Sequence, residues 1–81
     1  MTSIEKKIKT IISKQFGIKI ENILNESNLR TDLKADSLDK IELIMEIEDI
    51  FNIEIHDNDV DKFINVQSII DYVTKKLNFI E

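Results

Sequence analysis

The chain has 81 residues, of which 42% are hydrophobic and 33% are charged. A chain of this length corresponds to one domain, so we expect residues 1–81 to share a single core. No apolar run approaches the roughly 18–20 residues that a membrane-spanning helix needs, and the start of the chain is polar and charged. The sequence therefore predicts a cytoplasmic protein that is neither secreted nor inserted into a membrane.

The chain contains no cysteine and one histidine, His56. A disulfide framework, a thiolate metal site and a cysteine nucleophile are therefore excluded, and any thiol chemistry has to be imported. A single histidine cannot build a multi-histidine zinc site or a two-histidine acid–base relay. We expect no metal centre and no enzymatic activity.

The charge is concentrated in the middle of the chain. The net charge is −5, from 16 acidic and 11 basic residues. Residues 1–31 carry six basic and three acidic side chains, whereas residues 32–61 carry two basic and eleven acidic ones. This sign is wrong for binding nucleic acid or an anionic membrane. The acidic segment is either a solvated face that keeps the protein soluble or a docking surface.

The first predicted element is an amphipathic helix over residues 3–16. The sequence has no proline and a single glycine, Gly17, which favours an all-α fold. Thr2 and Glu5 have the spacing of a capping box. Gly17 can adopt a left-handed backbone conformation and so end the helix. The helical period is carried by Ile4, Ile8, Ile11, Ile12 and Phe16.

Residues 18–36 show no sustained period, which predicts an ordered loop with a helical turn near residues 21–24. The alternation of Ile18 and Ile20 is compatible with a short strand, but no partner strand is evident nearby. A loop this long usually packs its own side chains or serves a function.

Three further helices complete the predicted fold. The second is capped by Asp36 or Ser37 and ends near Phe51, the third is short and covers residues 58–62, and the fourth starts after Asn65. Lys75 and Lys76 suit the last turn of the fourth helix because a helix C-terminus carries partial negative charge, which favours cations. The expected architecture is an irregular up-down bundle of four helices, three longer and one short, with a long loop after the first.

The second helix has two separate apolar faces. The predicted core face consists of Leu43, Ile44, Ile47, Ile50 and Phe51. Leu38, Ile41 and Met45 lie almost opposite this face and are bordered by acidic residues. Ionised carboxylates are seldom buried unpaired, so an exposed apolar ridge is favoured over a helix that is buried all round. An apolar centre with a charged rim is typical of a protein-docking patch, here one that suits basic partner surfaces.

Ser37 stands at the N-terminus of this helix. Capping is the ordinary role of a serine in such a position. A helix N-terminus also tolerates an attached phosphodiester, because its backbone N–H groups and partial positive charge favour an anion.

The run from Asp32 to Asp39, DLKADSLD, resembles the acyl carrier proteins of fatty-acid synthesis. The similarity continues in residues 41–51 and 66–72 and extends over essentially the whole chain. It implies a four-helix carrier in which Ser37 receives 4′-phosphopantetheine from coenzyme A through a separate phosphopantetheinyl transferase. The arm would supply the thiol that this chain lacks and hold growing acyl chains as thioesters.

The resemblance also implies further site residues. Residues that meet partner enzymes, which carry basic docking surfaces, would be Asp36, Leu38, Asp39, Ile41, Glu42, Met45, Glu48 and Asp49. An internal cavity that shelters the acyl chain would be lined by Ile47, Ile55, Val60, Phe63 and Ile69. We expect the carrier to be a monomer.

Two residues depart from the pattern of that family. Lys34 stands where the family often has glycine, and His56 where it usually has proline. We expect Lys34 to weaken recognition by some partners, and the absence of proline to increase mobility before the third helix. The side chains of Val60 and Phe63 are bulky, which predicts a smaller acyl cavity.

Several alternatives stay open at this point. The carboxylates of Asp57, Asp59 and Asp61 have the spacing of a calcium loop, but Lys62 replaces the required glycine and Ser68 the final glutamate. A docking module that carries nothing is the main alternative to a carrier. Carriers of polyketide, peptide or D-alanyl pathways share the same serine, although the acidity of this chain favours the fatty-acid type. Tyr72, Phe16 and Phe79 are expected to be packing residues.

Overall fold

The structure is a computed structural model that describes residues 3–78. Three α-helices form the body: α1 (Ser3–Phe16), α2 (Ser37–Phe51) and α3 (Val66–Asn78). Short 3₁₀ helices cover Ile20–Asn22 and Asp57–Lys62. The predicted all-α bundle is confirmed, with the short third helix in 3₁₀ form. None of the helices described is long and apolar enough to cross a bilayer.

Helix α1 has the predicted bounds, and the glycine that comes directly after it ends the helix. Gly17 adopts a φ of +66°, and its N–H donates to the carbonyl of Ser13 at 2.9 Å. A left-handed residue at this position is the usual way to close a helix. Thr2, the first half of the predicted capping box, lies outside the described residues.

Helix α2 begins with a reciprocal cap. Asp36 Oδ1 accepts the N–H of Asp39 at 2.8 Å, and Asp39 Oδ2 accepts the N–H of Asp36 at 3.2 Å. Two of the amides that a helix start leaves without intrahelical partners are thereby satisfied. The helix closes at Asn52, which has a left-handed φ of 54°.

The core draws on all three helices and on the long loop. Its buried hydrophobic residues are Ile8, Ile11, Ile12, Ile23, Leu29, Leu33, Leu43, Ile44, Ile47, Ile55, Phe63, Val66, Ile69, Ile70 and Val73. Most of the predicted core face of α2 is correct, with Phe51 partly buried against this cluster. The prediction is wrong for Ile50, which is 48% exposed. Ile50 sits at the edge of the apolar arc, where α1 leaves a groove instead of covering it.

The loop of residues 18–36 is ordered because it is hydrogen-bonded to the segment before α3. Leu29 donates its N–H to Ile64 O at 3.0 Å, and Val66 donates to Ser27 O at 3.1 Å. An isolated antiparallel bridge pairs Asn28 with Asn65. The predicted helical turn is the 3₁₀ helix at 20–22, and Ile18 and Ile20 form no strand. This anchoring fixes the backbone that leads into α2.

Candidate functional site

Ser37 is the first residue of α2, and its side chain is exposed. Of the two cap candidates, the structure selects Asp36, so Ser37 is not the cap. Within residues 3–78 the Ser37 hydroxyl makes no hydrogen bond. The hydroxyl is therefore accessible and is not engaged in holding the helix start together.

An open cavity of about 800 Å³ lies beside Ser37. The end of the long loop, the first turn of α2 and residues 61–64 line it. Its walls carry the cations of Arg30, Lys34 and Lys40, the carboxylates of Asp36 and Asp61, and apolar side chains such as Phe63. There is room for a tethered group next to the hydroxyl, and the three cations outnumber the two carboxylates, so the lining would offset part of the charge of an attached phosphate. The residues around Ser37 thus fit a phosphodiester-linked arm.

Lys34 has a φ of 57°, a left-handed conformation that favours glycine. The backbone is held there because Ala35 donates its N–H to Leu29 O at 2.8 Å, just after the strained residue. This geometry accounts for the glycine that the resembling family often has at this position.

The other departure, His56, has a φ of −73°, which is close to the value that a proline ring imposes. The loop therefore keeps a shape compatible with proline.

The apolar ridge expected on α2 is exposed. Leu38, Ile41 and Met45 expose 63%, 52% and 58% of their surface. Beside them, Glu42 and Asp49 are exposed and extend the ridge with negative charge. This arrangement can anchor an apolar group of a partner and attract basic side chains around it.

Three of the acidic residues expected to dock partners also have structural contacts. Asp36 and Asp39 form the helix cap. Glu48 Oε2 accepts the N–H of Ile55 at 2.8 Å and so ties α2 to the segment that follows it. Substituting these residues will therefore change local structure as well as surface charge.

The five residues expected to line an acyl cavity lie together in the core. Ile47, Ile55, Phe63 and Ile69 are buried, and Val60 is partly buried against them. Phe63 also lines the cavity beside Ser37, so it separates that cavity from the core. An acyl chain would need to displace this side chain or pass beside it to enter the bundle.

Tyr72 contributes a hydrogen bond that sequence reasoning missed. Its hydroxyl donates to Asp59 Oδ2 at 2.7 Å, and its ring meets Phe63 edge-on at 5.1 Å. Partial burial and the hydrogen bond to Asp59 raise the pKa of Tyr72 to about 12. The hydrogen bonds from Tyr72 and Lys62 lower the pKa of Asp59. These contacts join the second 3₁₀ helix to α3, and no sequence motif predicts them.

The acidic run at residues 57–61 forms no metal site. In the described part of the chain, no group of three or more histidine, aspartate or glutamate side chains is arranged to hold a metal ion. One oxygen of Asp59 instead meets Lys62 Nζ at 3.1 Å.

Comparison with known proteins agrees with this geometry. Residues 6–73 match the family described as the phosphopantetheine attachment site. The acyl carrier protein of Buchnera aphidicola subsp. Schizaphis graminum (strain Sg) is 55% identical over 76 residues, which cover 94% of this chain and 96% of that protein. A solved structure of the acyl carrier protein from Enterococcus faecalis is 35% identical, with a TM-score of 0.79, and the match covers 94% of this chain and 99% of that one. The chain therefore belongs to the acyl carrier proteins, which bind phosphopantetheine and act as carriers and not as enzymes.

Proposed function

We propose that Ser37 is the residue of this carrier to which phosphopantetheine is attached. The observation that carries the proposal is the free, exposed hydroxyl at the start of α2, beside a cavity lined by three cations and two carboxylates. Among residues 3–78, no histidine or carboxylate pairs with the hydroxyl, so a separate transferase has to activate it. When bound, the arm supplies the thiol on which acyl groups are held as thioesters.

Intact-mass analysis tests this assignment. Incubation with coenzyme A and a phosphopantetheinyl transferase should add one group of about 340 Da to the chain. Ser37→Ala should abolish the gain. This substitution should leave stability within about 0.5 kcal/mol, because Ser37 is not the cap. Ser3→Ala is the matched control, since Ser3 is also an exposed serine at a helix start.

Ser3→Ala should retain the full mass gain. A gain that persists in Ser37→Ala would assign the arm to another residue and refute the proposal. A folded wild-type chain that stays unmodified under conditions that modify a known carrier would refute it as well.

We further propose that the exposed ridge of α2 docks the enzymes that load and use the cargo. Leu38, Ile41 and Met45 supply the apolar contact, and Glu42 and Asp49 attract basic partner surfaces. Met45→Glu should raise the KM of the transferase for this carrier about tenfold. Leu24→Glu, which alters an equally exposed side chain away from the ridge, should leave the KM unchanged. Equal effects of both substitutions would exclude the ridge.

The cargo we propose is a growing fatty acyl chain, sheltered among the side chains of Ile47, Ile55, Val60, Phe63 and Ile69. Their common position in one hydrophobic core, with Phe63 reaching the cavity beside Ser37, supports this route. An eight-carbon acyl group on the arm should raise the melting temperature relative to the unacylated holo form, because the chain gains apolar contacts. An unchanged melting temperature would argue against sequestration.

Three expectations from the sequence stay predictions: one carrier domain over residues 1–81, a monomeric state and a cytoplasmic location. The shared core of the three helices supports the first of them.

A further inference from the structure

A second surface of the molecule lies between α1 and α2, adjoins the ridge at Met45 and is not lined by Ser37. It is an open groove of about 820 Å³. Ile11, which is only 4% exposed, forms part of its floor, and the half-exposed side chains of Met45 and Ile50 form its α2 edge. Ile50 is the apolar residue that the bundle was expected to bury and does not. The groove therefore presents apolar surface that neither helix covers.

The two helices run antiparallel along this groove. Gln15, near the end of α1, donates from Nε2 to the carbonyl of Asp39 at 2.7 Å, near the start of α2. At the opposite end, Lys7 Nζ lies 5.9 Å from the centre of the Phe51 ring. These two contacts connect the walls near both ends. The stretch from Lys6 to Lys14 spans roughly 12 Å, because each helical residue adds about 1.5 Å.

The walls of the groove carry opposite charges. Lys6, Lys7 and Lys14 line the α1 side. Glu42, Glu46 and Asp49 line the α2 side. None of these charges forms an ion pair across the groove within residues 3–78. Lys7 lies over the ring of Phe51, so Lys6 and Lys14 and the three carboxylates remain available to a molecule that enters between the rows.

We propose that this groove binds one amphipathic α-helix of a partner protein, with acidic residues along one flank and basic residues along the other. The apolar stripe of the helix would cover Ile11, Met45 and Ile50. Its acidic flank would face the lysines of α1, and its basic flank the carboxylates of α2.

The shape and charge of the groove favour this occupant over others. A helix satisfies its own backbone hydrogen bonds and can lie on an apolar floor, whereas an extended segment would leave N–H and C=O groups unpaired there. A second copy of this chain would bring together two molecules of net charge −5. The site shares Met45, Glu42 and Asp49 with the ridge proposed above. It differs from the ridge because it also needs Ile50 and the lysines of α1.

The test uses stapled peptides of about 16 residues, because stapling removes most of the cost of helix formation. The matched peptide carries a leucine stripe with one glutamate flank and one lysine flank. The comparison peptide carries lysine on both flanks. Binding to the full chain without the arm is measured by fluorescence anisotropy at physiological salt, and NMR chemical shifts locate the contact.

The wild-type chain should bind the matched peptide about tenfold more tightly than the all-lysine one. Its shifts should concentrate at Lys6, Lys14, Glu46 and Ile50. The opposite preference, with shifts confined to Leu38 and Ile41, would show binding to the acidic ridge alone and overturn the proposal. Failure of the chain to bind the matched peptide would overturn it as well.

Substitutions separate the groove from general electrostatics. Ile50→Asp should weaken the matched peptide about tenfold, whereas Ile64→Asp, at another exposed isoleucine, should not. Lys6→Glu combined with Lys14→Glu should reverse the preference in favour of the all-lysine peptide. The same net change in charge outside the groove, Lys19→Glu with Lys75→Glu, should leave the preference unreversed. Reversal by both pairs would refute the placement in the groove.

The result is independent of the proposed attachment site, because binding is measured without the arm. If Ser37 proved not to accept phosphopantetheine, the peptide experiment would still stand. Self-association of the chain through the groove, detected by ultracentrifugation and abolished by Ile50→Asp, would instead assign it to a second copy and overturn the proposal.

Discussion

Replacing Lys34 with glycine should stabilise the protein. Lys34 is held at a φ of 57°, where the Cβ of an L-residue comes too close to the backbone. The left-handed conformation costs a residue of this kind about 1–2 kcal/mol. Glycine removes that cost, but its more flexible unfolded chain opposes the gain by about 0.5–1 kcal/mol. We therefore expect a net increase of about 0.5–1 kcal/mol in the free energy of unfolding.

The increase is large enough to measure in a chain of this size. A gain of this size corresponds to a rise of roughly 2–8 °C in the melting temperature. Urea and thermal unfolding of the unmodified protein, followed by circular dichroism, give both quantities. An unchanged slope of the unfolding free energy against urea concentration would show that the two proteins expose the same surface on unfolding.

A matched substitution isolates the backbone contribution. Lys34→Ala removes the same charge and side chain but keeps the Cβ, so it should stay within about 0.5 kcal/mol of wild type. Asn52→Gly should gain less than Lys34→Gly, because asparagine tolerates its similar φ of 54° better than lysine does. If Lys34→Ala stabilised the protein as much as Lys34→Gly, the charge and not the backbone would be responsible. The reasoning from φ would then be refuted.

Two further predictions test the packing of the bundle. Ile47→Ala should cost about 2–5 kcal/mol because it leaves a cavity in the core, whereas Ile50→Ala should cost under about 1 kcal/mol; equal losses in urea unfolding would contradict the assignment of Ile50 to the surface. The raised pKa of Tyr72 means that the folded state holds the phenolic proton more tightly than the unfolded state, whose pKa is 10.0. This contribution to stability should be complete below pH 10 and be lost as the pH rises towards about 12. Tyr72 is the chain's single tyrosine, so its ultraviolet absorbance reports the titration, and Tyr72→Phe should remove this part of the pH dependence. A titration at the ordinary pKa in the folded protein would disprove the coupling to Asp59.

The course of the helices could be predicted from the sequence because local interactions decide it. The isoleucine spacing of α1 and the glycine after it gave its bounds, and the left-handed φ of Gly17 confirms the mechanism. The exposure of Ile41 and Met45 could be anticipated because carboxylates surround them. In each case the determining groups lie within a few residues of one another along the chain.

The candidate site could be predicted only in part. Ser37 could be singled out as a helix-start serine in a run that resembles a known family, and its exposure comes from the structure. Sequence reasoning could not decide between Asp36 and Ser37 as the cap, because both residue types accept hydrogen bonds from helix amides. It also gave no sign that Arg30 would line the same cavity as Ser37, since that placement depends on how the long loop folds back.

The sequence by itself determined that the protein is all-α, where its three main helices run and which serine lies at the start of the acidic helix. Only the tertiary structure decided that this serine is exposed and that the loop of residues 18–36 is hydrogen-bonded to the segment before α3. It also decided that Lys34 is strained and that Ile50 faces a groove. The physical reason is the separation along the chain over which each interaction acts. Helical period and capping act between near neighbours, whereas burial at the edge of a helix depends on where another helix comes to lie.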